Sequence, residues 1–485
     1  LPQLINNILV MESYKGSVLQ QLSKIAIVVL SLLLVGAAIF YKQRMLFIDP
    51  AFVAFSIINQ HHLLILEHRY GAFITQIVPL IGSFLHLSIK QILCAYSISF
   101  NAFYLIVALM LVYRFKQFGL AILLAFYFTL FVSATYFWTN NEVHQGIAWM
   151  FLCIGVTLYF GQQPYKKLAF IPLIVLAFLA IFSHFLVVIP FAFLWLYLWI
   201  NKTDWPFSNL ISCMLTALLA LLFLLKLELG LHGWYDAGLL HNATHLSVAE
   251  VLHAFTNDHA KQFSYRIATN YWPTIILFLL GIVSLIMHKK FILALLSVAF
   301  CLAYFTAICI TFSGFGRDSV FYMESEWMGL AIIASTPFVY NVLPLLKLNR
   351  AVLFLVLIFS IRFAYMLDAA PDFLNRLHFI ASVQQKMHQK GFTKLIILRD
   401  DETKQALIND WGIPVESLLL SAMNKDMPQI SFSVLAPDDL KTVPQNKYTF
   451  LSSFAVVNAN DLNQAYFHLD TTQNYKIMSY HDLMK

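Results

Sequence analysis

Asp49-Pro50 stands a few residues beyond the first strongly apolar run of this 485-residue chain. Asp followed by Pro suits the N-cap and first turn of a helix. A carboxylate just outside a bilayer can also take a proton from an attacking hydroxyl or amine. The two roles are compatible. A second polar stretch, Trp138-Thr139-Asn140-Asn141-Glu142-Val143-His144-Gln145, joins two apolar runs. Its asparagines are enough for a turn, and Glu142 fits the positive end of a helix dipole. His144 and Gln145 are harder to dismiss, because they begin to enter the apolar run, where polar side chains are costly and tend to be functional. Ser183-His184 interrupts a longer apolar stretch between Pro172 and Pro190. His184 reads either as a satisfied interfacial histidine or as a lining residue of the same outer cavity. Gly316-Arg317-Asp318 and Phe321-Tyr322-Met323-Glu324 form the last cluster. An exposed Arg317–Asp318 pair would contribute only about 0–1 kcal/mol. A guanidinium fork, however, suits bidentate phosphate binding. Arg317 is therefore the favoured phosphate ligand, and Arg69, in Glu67-His68-Arg69-Tyr70, is the second.

These residues must be carried by a membrane protein. The chain is 60% hydrophobic and only 12% charged, with mean hydropathy +0.73; soluble domains carry about a quarter charged residues. Runs long enough to span, at about 20 residues each, are 22–41, 89–113, 119–137, 143–160, 210–227, 272–287, 291–312, 328–343 and 351–367. The stretch 168–200 is too long for one upright helix and suits two short ones meeting near His184. That totals about eleven spans.

The charges choose the orientation. With a cytoplasmic N-terminus, the inner loops hold Arg114, Lys116, Lys166, Lys167, Lys202, Lys289, Lys290, Lys347 and Arg350, against one acid, Asp204. The outer loops hold Asp49, Glu67, Glu142, Glu228, Asp236, Glu250, Asp258, Asp318, Glu324 and Glu326. That asymmetry follows the positive-inside rule. Lys42, Arg44 and Lys226 break it. The net charge of +6 thus reflects orientation and implies no nucleic-acid partner. All five cysteines lie in apolar runs, so no disulfide framework is implied.

The expected fold is a polytopic α-helical membrane protein. Residues 1–370 form the membrane domain, with interfacial helices in the first outer loop, 47–87. Residues 371–485 form a small extracytoplasmic α/β domain, with a helix over 373–390, strands over 394–398, 430–435 and 448–457, and a helix near 402–411. His61-His62 and the histidines of 230–271 (His232, His241, His245, His253, His259) invite a divalent metal, but they follow no ligand motif. No cofactor is expected. No Walker motif or nucleophile elbow is present, which argues against ATP-driven work.

The organisation resembles the GT-C superfamily of integral-membrane glycosyltransferases, whose members include protein O-mannosyltransferases and the aminoarabinose transferases that modify lipid A. The similarity is architectural. Asp49 follows the first span, Asn141-Glu142-Val143-His144 opens the fourth, and a Ser183-His184 break separates two short helices. Arg317 to Glu324 precede a late span, and a soluble domain follows the last one. The resemblance implies a polyprenyl-phosphate sugar donor entering from the bilayer and a lipid, glycan or protein acceptor. It further implies catalysis by Asp49 with Glu142, and substrate or phosphate contacts from Arg69, Tyr70, His144, His184, Arg317, Tyr322 and Glu324. Asp49 would be the base, and arginines would stabilise the departing lipid phosphate. A bacterial inner membrane is the expected location. One departure is that Asp49 lacks the adjacent acid of the O-mannosyltransferases. The alternatives are a polysaccharide polymerase or ligase, a headgroup transferase, a transporter or flippase, and a non-catalytic scaffold. A transporter would place ionisable residues near the midplane and often show repeated halves; here the acids cluster at the outer edge and no repeat is seen.

Overall fold

The computed structural model describes residues 2–139, 142–163, 170–202, 205–238, 247–312, 319–424 and 428–485, with side chains from residue 16 onward. The chain is a polytopic helical membrane protein. Among the described residues, seven helices are long and apolar enough to cross a bilayer: Gly16–Ile39, Ile89–Arg114, Glu142–Gly161, Asn209–Leu231, Phe291–Thr311, Val320–Leu345 and Leu348–Gln389. Val248–Thr269 and Trp272–Met287, bent at 83°, make an eighth candidate when taken as one broken span. Helices Phe118–Tyr127, Phe170–Ile181 and Phe185–Asn201 are shorter. The last two meet at Ser183-His184, where the chain was expected to break.

The run 119–137 does not form the single helix its composition suggests. Helix stops at Tyr127, and two buried charges hold the unwound segment that follows. Arg362 donates from Nε to Thr129 O at 2.9 Å and from Nη2 to Val132 O at 2.9 Å. Glu324 Oε2 accepts from the backbone N–H groups of Ser133 at 3.0 Å and Thr135 at 2.7 Å. Irregular backbone at membrane depth needs such partners, since lipid supplies none.

Helix Ile48–Gln60 is not laid against solvent. Nine of its thirteen residues are buried, because Ala51, Ala54, Phe55 and Ile58 pack with Leu418, Leu419, Phe450 and Phe467 from the C-terminal region. The chain after it continues through a 3-10 turn, Tyr70–Gln76, into helix Ile77–Phe84.

The last long helix, Leu348–Gln389, has 42 residues, or about 63 Å at 1.5 Å per residue. A bilayer core is about 30 Å thick, so much of the helix projects beyond it. The expected boundary at residue 371 falls inside this helix. The membrane part and the C-terminal part therefore share one continuous helix, with Pro371 inside it, rather than a linker. Gly391, at φ +72°, ends the helix in the left-handed conformation that glycine adopts without strain.

Beyond it, β1 (Lys394–Leu398) is the central strand of a parallel sheet, between β2 (Ser431–Leu435) and β5 (Lys476–Ser479). Leu395, Ile396 and Ile397 are fully buried, as a strand covered on both faces requires. β3 (Thr449–Leu451) and β4 (Val456–Asn458) form a separate antiparallel pair. The expected helix near 402–411 is a shorter one, Asp401–Ala406. Helix Ile413–Ala422 and β5 were not anticipated.

Candidate functional site

Asp49 is fixed by its neighbours before it does any chemistry. Phe47, not Asp49, is the helix N-cap. Ile48 has φ +26°, in a region strained for a β-branched residue. What holds it there comes from the C-terminal region. The Ile48 N–H donates to Glu416 Oε1 at 2.8 Å. Glu416 also accepts from Arg376 Nε at 3.0 Å and Nη2 at 2.8 Å, and both side chains are buried. Residue 412 must be glycine for this approach, because a Cβ there would sit 2.7 Å from Ile48 Cα.

The Asp49 carboxylate is half-buried. Its Oδ2 accepts from Trp138 Nε1 at 2.8 Å and lies 3.5 Å from the Tyr322 hydroxyl. Tyr322 also meets the Trp411 indole by a side-chain hydrogen bond. Burial pushes the Asp49 carboxyl up to about 7; the Trp138 bond pulls it back and the charge of Glu142 adds to the rise. A carboxylate with that pKa is half-ionised at neutral pH, as a general base should be.

Glu142, whose charge reaches Asp49, belongs to a second charged group. Arg69 Nη2 pairs with Asp236 Oδ1 at 2.7 Å, and its Nη1 lies 3.3 Å from Glu142 Oε2. Lys226 is buried; its Nζ donates to Glu67 O at 2.8 Å and lies 3.4 Å from Asp236 Oδ2. Burial acts to raise the Asp236 carboxyl, but the charge of Arg69 and its other cationic neighbours outweighs it and holds the group below the usual carboxylate range. Arg69 also packs over the Tyr235 ring at 5.6 Å, and its Nε is buried without a partner. Two cations thus face two carboxylates, with Glu142 the more open edge, its side chain 26% exposed.

The structure therefore brings together Asp49, Glu142, Arg69 and Tyr322. The other sequence candidates sit elsewhere or are spent. His184 Nδ1 accepts from Leu186 N at 3.2 Å, at the break between the two short helices, close enough to Arg69 and Asp236 to feel their charges. Tyr70 is 45% exposed and stacks on Phe178 and Phe182. His144 is buried among Phe100, Tyr104 and Phe128, its Nδ1 2.8 Å from the Tyr127 hydroxyl. It lines a cavity of only about 20 Å³ shared with Arg44 and Trp138. Glu324 is fully buried and uses its oxygens on Ser133, Thr135 and the Tyr271 hydroxyl at 2.6 Å. Arg317 and Asp318 lie outside the described residues, as do Asn140, Asn141, His241 and His245.

Glu324 acts at one remove, because the segment it holds ends in Trp138. Glu324→Ala would strand the N–H groups of Ser133 and Thr135, at about 1–3 kcal/mol for each buried group left unpaired. A lower Tm in detergent is expected for Glu324→Ala, with Glu324→Gln closer to the parent. Equal melting of all three proteins would contradict this role.

Trp138, Lys226, Asp236, Arg376, Trp411 and Glu416 were not singled out from the sequence. For Lys226 the signal existed: a lysine in an apolar run that violates the loop-charge pattern is a cation in search of a buried partner. Arg44 is similar, its guanidinium spent on Ser97, Asn101 and the Tyr136 carbonyl. The remaining contacts join residues up to 368 positions apart, and nothing local marks them.

Among the described residues, no group of three or more His, Cys, Asp or Glu is placed to hold a metal ion. A cavity of about 290 Å³ opens beside Tyr322, with Trp411, Glu326 and His259 in its wall. No protein family, curated protein or solved structure matches this chain.

Proposed function

We propose that this protein is a membrane glycosyltransferase that moves a sugar from a polyprenyl-phosphate donor to an acceptor on the extracytoplasmic face. The observation that carries this reading is that Asp49 and Arg69, both from the 47–87 segment, meet Glu142 from a distant helix, while Tyr322, 3.5 Å from Asp49, lines an open cavity. In the reaction, the acceptor O–H gives its proton to Asp49 as its oxygen bonds to the anomeric carbon. The anomeric C–O bond breaks, and its electron pair leaves with the lipid phosphate. Arg69, with Arg317 as the second cation, offsets the charge that develops there. No second acid is needed, because a phosphate leaves as an anion. Glu142 holds Arg69 at its open edge and raises the proton affinity of Asp49.

The topology that goes with this reading has a cytoplasmic N-terminus in a bacterial inner membrane. It has eleven spans if the three short apolar helices and Trp272–Met287 are each counted, and residues beyond the last long helix lie outside. Arg44, Glu324 and Arg362 are ionisable groups inside the bundle, but their bonds go to protein backbone and to Ser97, Asn101, Ser133 and Tyr271. A transporter would leave such groups lining a path.

The test is to incubate purified protein with a panel of polyprenyl-phosphate sugars and measure release of lipid phosphate. Turnover of at least one donor is expected; no turnover of any donor, with or without added acceptors, would defeat the reading. The pH profile follows from Asp49. A base must be ionised to work, so the rate should rise with pH through a midpoint near 7 and then level off. A rate independent of pH between 5 and 9 would exclude this carboxylate as the base.

A further inference from the structure

The 290 Å³ cavity next to Tyr322 contains an unsatisfied pair of polar groups that the chemistry above does not use. Glu326 and His259 are each about 5% exposed. Glu326 Oε2 and His259 Nε2 are 3.4 Å apart, yet neither atom makes a hydrogen bond. Buried polar atoms left unpaired are rare and call for an explanation. Both atoms lie just behind the cavity wall, and with a small turn of either side chain toward it one group can satisfy both. A hydroxyl donates its hydrogen to the carboxylate and accepts an N–H from the imidazole.

The rest of the wall suits a molecule with several hydroxyls. Gln262 and Asn409 offer amides, which both donate and accept, and Tyr322 and Trp411 offer rings. Amides reading hydroxyls and an indole beside them is the chemistry that recognises a sugar ring, whose edges are polar and whose faces carry C–H groups. The volume is at the lower end of small-molecule sites, which begin at roughly 300 Å³. That leaves room for one pyranose and not for an extended chain.

The position gives the sugar a role. Tyr322 lines the cavity and its hydroxyl lies 3.5 Å from Asp49 Oδ2. Glu142, whose charge acts on Asp49, holds Arg69, the cation assigned to the donor phosphate. We infer that the cavity is the acceptor subsite, and that the acceptor presents a pyranose ring whose hydroxyl bridges Glu326 and His259; this rests on the transferase reading. Trp411 and Asn409 belong to the C-terminal region, which on this view supplies part of the acceptor's binding wall.

The experiment reads binding without turnover. Full-length protein in detergent is titrated with a panel of methyl pyranosides, with no donor present, by saturation-transfer NMR and tryptophan fluorescence. A parallel arm uses glycolipids carrying the same headgroups, to separate a free glycan from a lipid-borne one. At least one pyranoside or headgroup should bind saturably, with Glu326→Gln and Trp411→Ala each weakening it tenfold or more. Asn409 is only half-buried, so Asn409→Ala is the variant least able to disturb folding, and it should weaken the same ligand. Absence of binding in both arms, or equal binding by parent and all three variants, overturns the acceptor subsite. Donor turnover by the parent is measured separately, so that the transferase reading stands or falls on its own result.

Discussion

Asp49→Asn is expected to lower transfer by about 10²–10⁴-fold, the usual contribution of a positioned general base, with little change in donor KM. The substitution is chosen to separate chemistry from architecture. Asparagine keeps the shape of the side chain, and its carbonyl oxygen can still accept from Trp138 Nε1. It also sits well near a helix N-terminus. A purely structural Asp49 would therefore tolerate the change, with stability moving by no more than about 0.5 kcal/mol. What asparagine cannot do is receive a proton. Single-turnover kinetics with a donor, read beside a melting curve, distinguish the outcomes. An unchanged Tm with lost turnover assigns the base. Equal turnover by parent and variant removes Asp49 from the mechanism. The carboxyl's pKa of about 7 adds a second signature: the ionisation near neutrality should vanish from any residual activity of the variant.

The sequence is most informative where one physical constraint acts over a whole run. Apolar length and loop charge suffice to recognise a polytopic helical membrane protein, and a short unbroken apolar run rich in β-branched residues locates β1 to the residue. The Ser183-His184 break is equally readable, since two polar residues among apolar ones must mark a discontinuity. The segment 119–137 reads as a span because its composition is apolar throughout. The helix is interrupted by Arg362 and Glu324, which lie 233 and 191 positions away from the atoms they bind. Glu324 itself reads as a loop acid facing substrate, and only its buried partners identify it as a support for backbone. Local composition cannot reveal such roles. For the site, residue type and position relative to the spans bring Asp49, Glu142 and Arg69 to notice. Asp236 reads only as a loop charge and Lys226 only as an exception to the loop pattern, because pairing in a buried cluster depends on where the chain returns in space.

Glu416→Ala should be the most damaging substitution outside the catalytic group. It leaves the buried Arg376 guanidinium without its carboxylate, and breaking a buried ion pair from one side costs about 3–5 kcal/mol. It also frees the Ile48 N–H, so the strained φ of +26° at Ile48 loses its restraint and the residue can relax toward negative φ. Asp49 is the next residue. A shift of about 1 Å in a catalytic group can lower the rate by 10²-fold, so kcat should fall along with Tm. Glu416→Gln separates the two effects. A glutamine carbonyl still accepts from Ile48 or Arg376, so it restores part of the backbone geometry while leaving the charge of Arg376 unbalanced. The expected order of kcat at a temperature where all three proteins are folded is parent, then Glu416→Gln, then Glu416→Ala. The order follows from the C-terminal region clamping the residue before the base. If Glu416→Ala melts earlier but keeps the parent's kcat below its Tm, that clamp stabilises the fold without positioning Asp49.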